Sequence, residues 1–232
     1  MKYELHHTEF FKVMCPDGKT AMGGSQKWYP LRWQRAAGCG PTSAANLMWY
    51  MARSHPELRN LVVTGDGDYE YTHFLDLMRE VFSCFTPGIR GINSSALFID
   101  GVKRYASARG IDLIPHALEV PASRRKRPDI GTVGDFITAA LLQESPVAFL
   151  NLSRGKLKTL ESWHWVTIMG CNRDSGDNGD NGDNGDRGDR LDNGDRRDVS
   201  SASILNYGFG VEVSIAGWLE TSTLGGCFVY FT

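Results

Sequence analysis

One cysteine of this chain lies in a setting that suits a nucleophile. Cys39 has glycine on both sides and opens a predicted helix over residues 39–53. The N–H groups and the dipole at a helix N-terminus lower the pKa of a thiol, and glycine neighbours let a substrate backbone approach the sulfur. Pro41 suits the first turn, because its missing N–H costs nothing there. The pattern predicts a reactive thiolate at Cys39.

A nucleophilic thiolate needs an imidazole that takes its proton and later protonates the leaving group. Among the six histidines, His164 in "ESWHWVTIMG" lies at the entry of a strongly apolar predicted strand. The other five fall in the N-terminal segment, in polar helical segments or after a strand-bending proline. His164 is therefore the predicted general base and acid.

Asn206, in "ILNYGFG" on the next predicted strand, is an acceptor that can orient this imidazole. His164 and Asn206 are 42 positions apart, which is long for neighbours in a hairpin. Removing the 25-residue aspartate repeat at 174–198 leaves 17 positions, which suits two adjacent strands and a turn. We expect the two residues side by side, with the repeat at the hairpin tip. Three aromatic residues can shield their hydrogen bond from water or fill the core: Trp163, Trp165 and Tyr207.

Acyl chemistry also requires hydrogen-bond donors aimed at the developing oxyanion. The backbone N–H of Cys39 is the first predicted donor. The side-chain amide of Gln34, five residues upstream, is the predicted second donor, and Gln26 is the alternative. The predicted catalytic set is Cys39, His164, Asn206 and Gln34.

The elements that must position these residues fall into two groups along the chain. Helical spacing of apolar residues predicts helices at 39–53 and 71–85, from the cap Asn93 to about 110, and from Thr132 with Asp135 as its capping-box partner. Short segments rich in β-branched and aromatic residues predict strands at 111–120, 146–152, 164–172, 202–208, 211–218 and 226–232.

Helices followed by strands predict an α+β fold, with an antiparallel sheet packed on the N-terminal helical half. Pro115 indicates either an edge position or a bend for the first predicted strand. The length of 232 residues favours a single domain spanning 1–232.

The segment from Asp174 to Asp198 has aspartate at every third position. Nine aspartates against four arginines give it a net charge of −5, and Leu191 is its one large apolar residue. This composition predicts a disordered surface insertion. The spacing fits neither a calcium loop nor a collagen repeat, and loose cation binding by the aspartates stays an open alternative.

Composition and charge exclude several classes of partner. A net charge of −2 predicts no nucleic-acid surface, and the basic run at 123–128 fits a solvated loop. No run approaches the roughly 18 apolar residues of a membrane span. The N-terminal sequence lacks a signal-peptide pattern, so a cytoplasmic location is expected, with leaderless export left open. Five scattered cysteines without CxxC spacing predict neither a disulfide framework nor a zinc site, and no cofactor is expected.

The order Gln34, Cys39, His164 and Asn206, with "CGPTSAANLMWYM" and "HWVTIMG", resembles the papain-like cysteine peptidases. It most resembles the bacteriocin-processing, double-glycine-cleaving branch and its stand-alone bacterial relatives. The resemblance implies a papain-like fold, a peptide or protein substrate and a thiolate–imidazolium pair. It also implies a tetrahedral intermediate held by Gln34 and an acyl-enzyme released by water.

Three functions remain open from the sequence. The leading hypothesis is a cysteine peptidase that hydrolyses peptide bonds through a thioester on Cys39. The second is an acyl- or aminoacyl-transferase, in which an amine intercepts the same thioester. The third is a non-catalytic interaction module, with a vestigial thiol site and the aspartate repeat as a binding arm. The sequence does not indicate an oligomeric state.

Overall fold

The computed structural model describes residues 1–62, 71–88, 90–173 and 199–232. The aspartate repeat at 174–198, predicted to be disordered, lies outside the described residues. Helices in the described residues have these bounds: α1 Arg32–Ala37, α2 Cys39–Ser54, α3 Tyr71–Ser83, α4 Ser95–Ser107, α5 Ile130–Leu142 and α6 Ile215–Thr221. None of these helices is long and apolar enough to cross a bilayer.

The strands in the described residues are short, and several lie next to turns. Their bounds are β1 Lys2–Glu4, β2 Lys12–Met14, β3 Thr20–Met22, β4 Pro115–Val120, β5 Val147–Asn151, β6 His164–Arg173, β7 Val199–Asn206, β8 Phe209–Val213 and β9 Gly226–Phe231. The predicted strands that carry His164 and Asn206 are therefore present as β6 and β7.

Seven of these strands form one antiparallel sheet in the order β4-β9-β5-β6-β7-β8, with β1 paired to the second half of β6. The strands from β5 to β8 are neighbours in chain order, whereas β9 returns between β4 and β5. β2 and β3 form a separate hairpin. The described residues therefore confirm the α+β class with an antiparallel sheet. β4 lies at an edge of the sheet, which is the first of the two positions that Pro115 indicated.

The sheet is covered by helices on both faces. Successive residues of a strand point to opposite sides, so Leu150 and Trp165 join the apolar cluster that contains α2, α3 and α4. Phe149 and Val166 join the cluster that contains α5 and α6. β5 and β9 are consequently buried along their whole length. The sequence predicted the first of these two layers, and α5 and α6 add the second.

Two predicted helix starts differ from the structure because other side chains cap the helices. The carboxylate of Asp129 accepts the backbone N–H of Thr132 at 2.6 Å, so α5 begins before Thr132. Asp135, the predicted capping partner, instead pairs with Arg173 at 2.7 Å. The cap of α4 lies one residue after the predicted Asn93.

The strand predicted at 211–218 is wrong in its second half. β8 ends just before Ser214 and α6 begins just after it, because the Ser214 hydroxyl accepts the backbone N–H of Gly217 at 3.0 Å and caps the helix. Ile215 and Trp218 are both buried and are three positions apart, which is helical spacing. The alternating pattern of the preceding strand therefore does not continue past Ser214.

Candidate active site

Cys39 is the first residue of α2, and only 8% of it is exposed. The glycines beside it are explained by packing inside the protein. A Cβ on Gly38 would lie 2.5 Å from the ring of Tyr29, and a Cβ on Gly40 would lie 3.1 Å from the side chain of Ile92. The chain can therefore turn from α1 into α2 at this point only with small residues, and the turn places the sulfur at the helix start.

Buried hydrogen bonds join α2 to β6. The Ser43 hydroxyl donates to the carbonyl oxygen of Val166 at 3.2 Å, and the Asn46 side-chain amide donates to the Thr167 hydroxyl at 3.1 Å. All three of these side chains are almost completely buried. Because Cys39 lies one turn before Ser43, the joint brings the sulfur towards the beginning of β6.

His164 and Asn206 are hydrogen-bonded neighbours, as the chain spacing predicted. The beginning of β6 meets the end of β7 in the antiparallel pairing. His164 Nε2 and Asn206 Oδ1 lie 2.9 Å apart. Since the amide oxygen only accepts, Nε2 carries the proton and Nδ1 carries the lone pair that can take a proton from a thiol.

Left-handed backbone flanks this pair on both strands. Trp163, immediately before His164, has a φ of 60°, and Tyr207, immediately after Asn206, has a φ of 52°. Gly208 follows with a φ of 84°, so Tyr207 and Gly208 form a two-residue turn of the kind that matches the twist of a hairpin. Non-glycine residues adopt this conformation only when the surrounding structure holds them there. The imidazole and its acceptor are thus fixed by the strand ends themselves.

One of the three aromatic residues predicted to shield the His164–Asn206 hydrogen bond lies against the imidazole. The Tyr207 ring stacks on the His164 imidazole, with 5.1 Å between centroids. Trp165 is buried and stacks on Phe98 at 4.2 Å, which is core packing. Trp163 is 37% exposed, and the Arg90 guanidinium lies 4.8 Å from the centroid of its ring. Of these three residues, Tyr207 is therefore the one whose ring stacks on the imidazole.

The pKa of Cys39 differs from the sequence expectation. Hydrogen bonds from the backbone N–H groups of Cys39, Gly40 and Trp165 lower the pKa of the thiol, as a helix start should. Burial raises that pKa by more, so the net shift is upward from the ordinary value. The expectation of a lowered pKa for the Cys39 thiol is therefore wrong.

Burial also lowers the pKa of His164, because the charged imidazolium is poorly solvated inside the protein. The hydrogen bond that His164 donates to Asn206 and the negative charge of Glu161 oppose this shift. Both pKa directions favour a neutral thiol beside a neutral imidazole. Glu161 was not found from the sequence. The Glu161 carboxylate accepts a hydrogen bond from the Tyr207 hydroxyl at 2.6 Å. This bond holds Glu161 against the residue that stacks on the imidazole.

An open cleft of about 610 Å³ is lined by both Cys39 and His164. This volume is typical of a ligand-binding cleft. Trp33 of α1 lines one wall, and Gly88 and Glu161 line others. A small cavity beneath the cleft is lined by Cys39, His164 and Asn206 together. The nucleophile and the imidazole therefore face the same space.

The two candidate glutamines occupy different positions. Gln26 lines both the cleft and the small cavity, and its side-chain amide donates one N–H to the carbonyl oxygen of Arg35 at 2.9 Å. A second N–H of the same amide remains available for a ligand. Gln34 lines neither space, because the cleft-facing side of α1 is formed by Trp33, Ala36 and Ala37. The structure thus brings the alternative, Gln26, to the site.

No cluster of metal-ligating side chains occurs among the residues that the structure describes. No family model matches the sequence. No curated protein matches it either. The positions of Cys39, His164, Asn206 and Gln26 are therefore read from the geometry of this chain alone.

Proposed function

We propose that this protein is a papain-like cysteine peptidase that hydrolyses peptide bonds through a thioester on Cys39. The observation that carries the proposal is the shared cleft. A sulfur at a helix start and an imidazole paired with an asparagine open into the same space of peptide-binding size. The sequence resemblance to papain-like enzymes points to the same chemistry.

The first step forms the acyl-enzyme. His164 Nδ1 takes the proton of the Cys39 thiol as the sulfur attacks the carbonyl carbon, and the carbonyl π electrons move to oxygen. Proton transfer accompanies the attack because burial favours the neutral form of both groups before substrate binds. The carbon–nitrogen bond then breaks, and the His164 imidazolium gives its proton to the leaving amine.

The negatively charged oxygen of the tetrahedral intermediate requires donors. The backbone N–H of Cys39 and the side-chain amide of Gln26 supply them in this proposal. Gln26 is suited to the role because Arg35 already fixes one of its N–H groups and orients the amide towards the cleft.

The second step releases the acyl group. His164 removes a proton from a water molecule, whose oxygen attacks the thioester carbon. The carbon–sulfur bond breaks, the carboxylic acid leaves, and Cys39 regains its proton from the imidazolium. The hydrogen bond to Asn206 fixes the imidazole through Nε2 and leaves Nδ1 for proton transfer in both steps.

Replacement of the nucleophile tests the proposal. A pool of internally quenched peptides is incubated with wild-type protein, Cys39→Ala and the matched control Cys84→Ala, and products are identified by mass spectrometry. Cys84 is partly exposed and belongs to neither cavity, so its replacement should leave cleavage unchanged. Cys39→Ala should reduce the cleavage rate by at least about 10³-fold, because covalent catalysis is lost.

Cleavage that survives in Cys39→Ala would overturn the assignment of the nucleophile. Wild-type protein that forms amides with added glycinamide, but releases no acid product, would favour the transferase. A folded wild-type protein that cleaves nothing in the pool and takes up no peptidyl chloromethyl ketone at Cys39 would favour the interaction module.

A further inference from the structure

A second cavity, of about 500 Å³, adjoins the candidate active site. It shares Tyr207 with the small cavity beneath Cys39 and His164. Its lining is largely aromatic and apolar, and it includes Trp28, Tyr71 and Phe209. The proposed catalytic steps do not use this space.

The walls of this aromatic cavity are tied to the catalytic hairpin. On one side is the β2–β3 hairpin, and on the other is the turn between β7 and β8. The backbone N–H of Met22 donates to the carbonyl oxygen of Gly208 at 2.8 Å, and a Cβ on Gly208 would lie only 3.4 Å from Ala21. The turn that follows Asn206 therefore forms part of the cavity wall.

Its aromatic residues are positioned for a ligand that is itself apolar. Trp28 packs edge-on against Tyr71, with 4.8 Å between centroids. Phe209 lines the cavity and has 68% of its surface exposed, so an apolar ligand bound there would cover surface that water now contacts. Covering such surface is favourable by roughly 25 cal/mol for each Å² removed from water.

We propose that this cavity binds a large apolar side chain, preferably aromatic, on the leaving-group side of the scissile bond. This inference rests on the proposed peptidase function and names part of its specificity. The leaving amine must lie beside the imidazole that protonates it, and Tyr207 is stacked on that imidazole. The leaving segment therefore runs past Tyr207 into the aromatic cavity, while the acyl segment occupies the larger cleft along Trp33 and Gly88.

Matched substrates test the subsite. Quenched peptides are compared that differ only in having Phe, Ala or Asp at the first or second position after the cleaved bond. Wild-type protein should show a kcat/KM about tenfold higher for Phe than for Ala at one of these positions, the range expected for filling an apolar pocket. Phe209→Ala should reduce this ratio to about twofold or less, and the variant should fold because Phe209 is largely exposed.

Two control variants separate this cavity from other apolar surfaces. Trp33→Ala, in the larger cleft, should lower kcat/KM for all peptides while keeping the Phe-to-Ala ratio. Leu142→Ala, 69% exposed at the end of α5, should change neither the rates nor the ratio. A ratio near one in wild-type protein, or a ratio unchanged by Phe209→Ala, would overturn the subsite even when Cys39-dependent cleavage is intact.

A binding measurement distinguishes failure of the subsite from failure of the peptidase. The probe is the leaving-side product peptide with Phe or with Ala, titrated into Cys39→Ala protein and followed by tryptophan fluorescence. Phe-selective binding that Phe209→Ala weakens supports the cavity even when wild-type protein cleaves no peptide. Equal binding of the two peptides would count against it whatever the activity.

Discussion

The two halves of the candidate active site are held in different ways. Cys39 begins a helix whose first thirteen residues are all buried, so packing on every side fixes the sulfur. His164 and Asn206 lie at strand ends, beside Trp163 and Tyr207 in the left-handed conformation. One hydrogen bond and one stacked ring orient the imidazole. The nucleophile is therefore fixed by the core, whereas the base is fixed by its immediate neighbours.

Both proposed oxyanion donors belong to the part of the site that lies before β4 in the chain. Substitution of the two glutamines tests which of their side chains is the donor. Gln26→Ala should lower kcat by about 10²–10³-fold with little change in KM, because the lost donor acts mainly in the transition state. Gln34→Ala is the matched control and should stay within about threefold of wild type, since Gln34 lines neither cavity. Steady-state kinetics on the best quenched peptide provides the measurement. The reverse ranking would return the role to Gln34.

The buried hydrogen bonds between α2 and β6 join the two halves of the site, and their loss should lower the stability of the protein most. Asn46 is 3% exposed, accepts the backbone N–H of Gly24 at 2.8 Å and donates to Thr167. Asn46→Ala removes the acceptor of the buried Gly24 N–H and the donor to the buried Thr167 hydroxyl. The variant should reduce the free energy of unfolding by about 2–4 kcal/mol. Urea denaturation followed by circular dichroism measures this change. Asn172→Ala, on the partly exposed part of β6, is the control and should cost less than about 1 kcal/mol.

Changes beside His164 should alter the pH dependence of kcat/KM. The acidic limb of the kcat/KM profile should lie below pH 6.5, because burial lowers the pKa of His164 and the base must be neutral. Asn206 raises that pKa, so Asn206→Ala should move the limb to still lower pH and reduce the maximal rate by about tenfold. A limb that moves upward in Asn206→Ala would show that Asn206 does not stabilise the imidazolium.

The pairing of His164 with Asn206 could be predicted because it depends on chain order. Once the repeat is set aside, two strand patterns separated by a short span leave few arrangements other than an antiparallel pair. Apolar periodicity and the glycine–cysteine–glycine sequence likewise located the start of α2 at Cys39. These features are local, or depend on neighbours along the chain.

Other features depend on contacts that sequence spacing does not contain. Gln34 is near Cys39 in sequence but lies on the side of α1 that does not line the cleft. Gln26 is thirteen residues before Cys39, and a short helical turn places it in the cleft wall. The upward shift of the Cys39 pKa could not be predicted, because the helix start is visible in the sequence and the depth of burial is not. Glu161 lies before β6 without a pattern of its own, and its bond to Tyr207 and its position in the cleft wall become visible only in the structure.

The far end of the β6–β7 pair has a practical consequence. Arg173 and Val199 are partners in the register, so the two strands hold these positions together whatever joins them. Nine residues of β6 separate this junction from His164, a distance of about 30 Å along an extended strand. A reporter or an affinity handle inserted at this junction would therefore be attached about 30 Å along the strand from the imidazole.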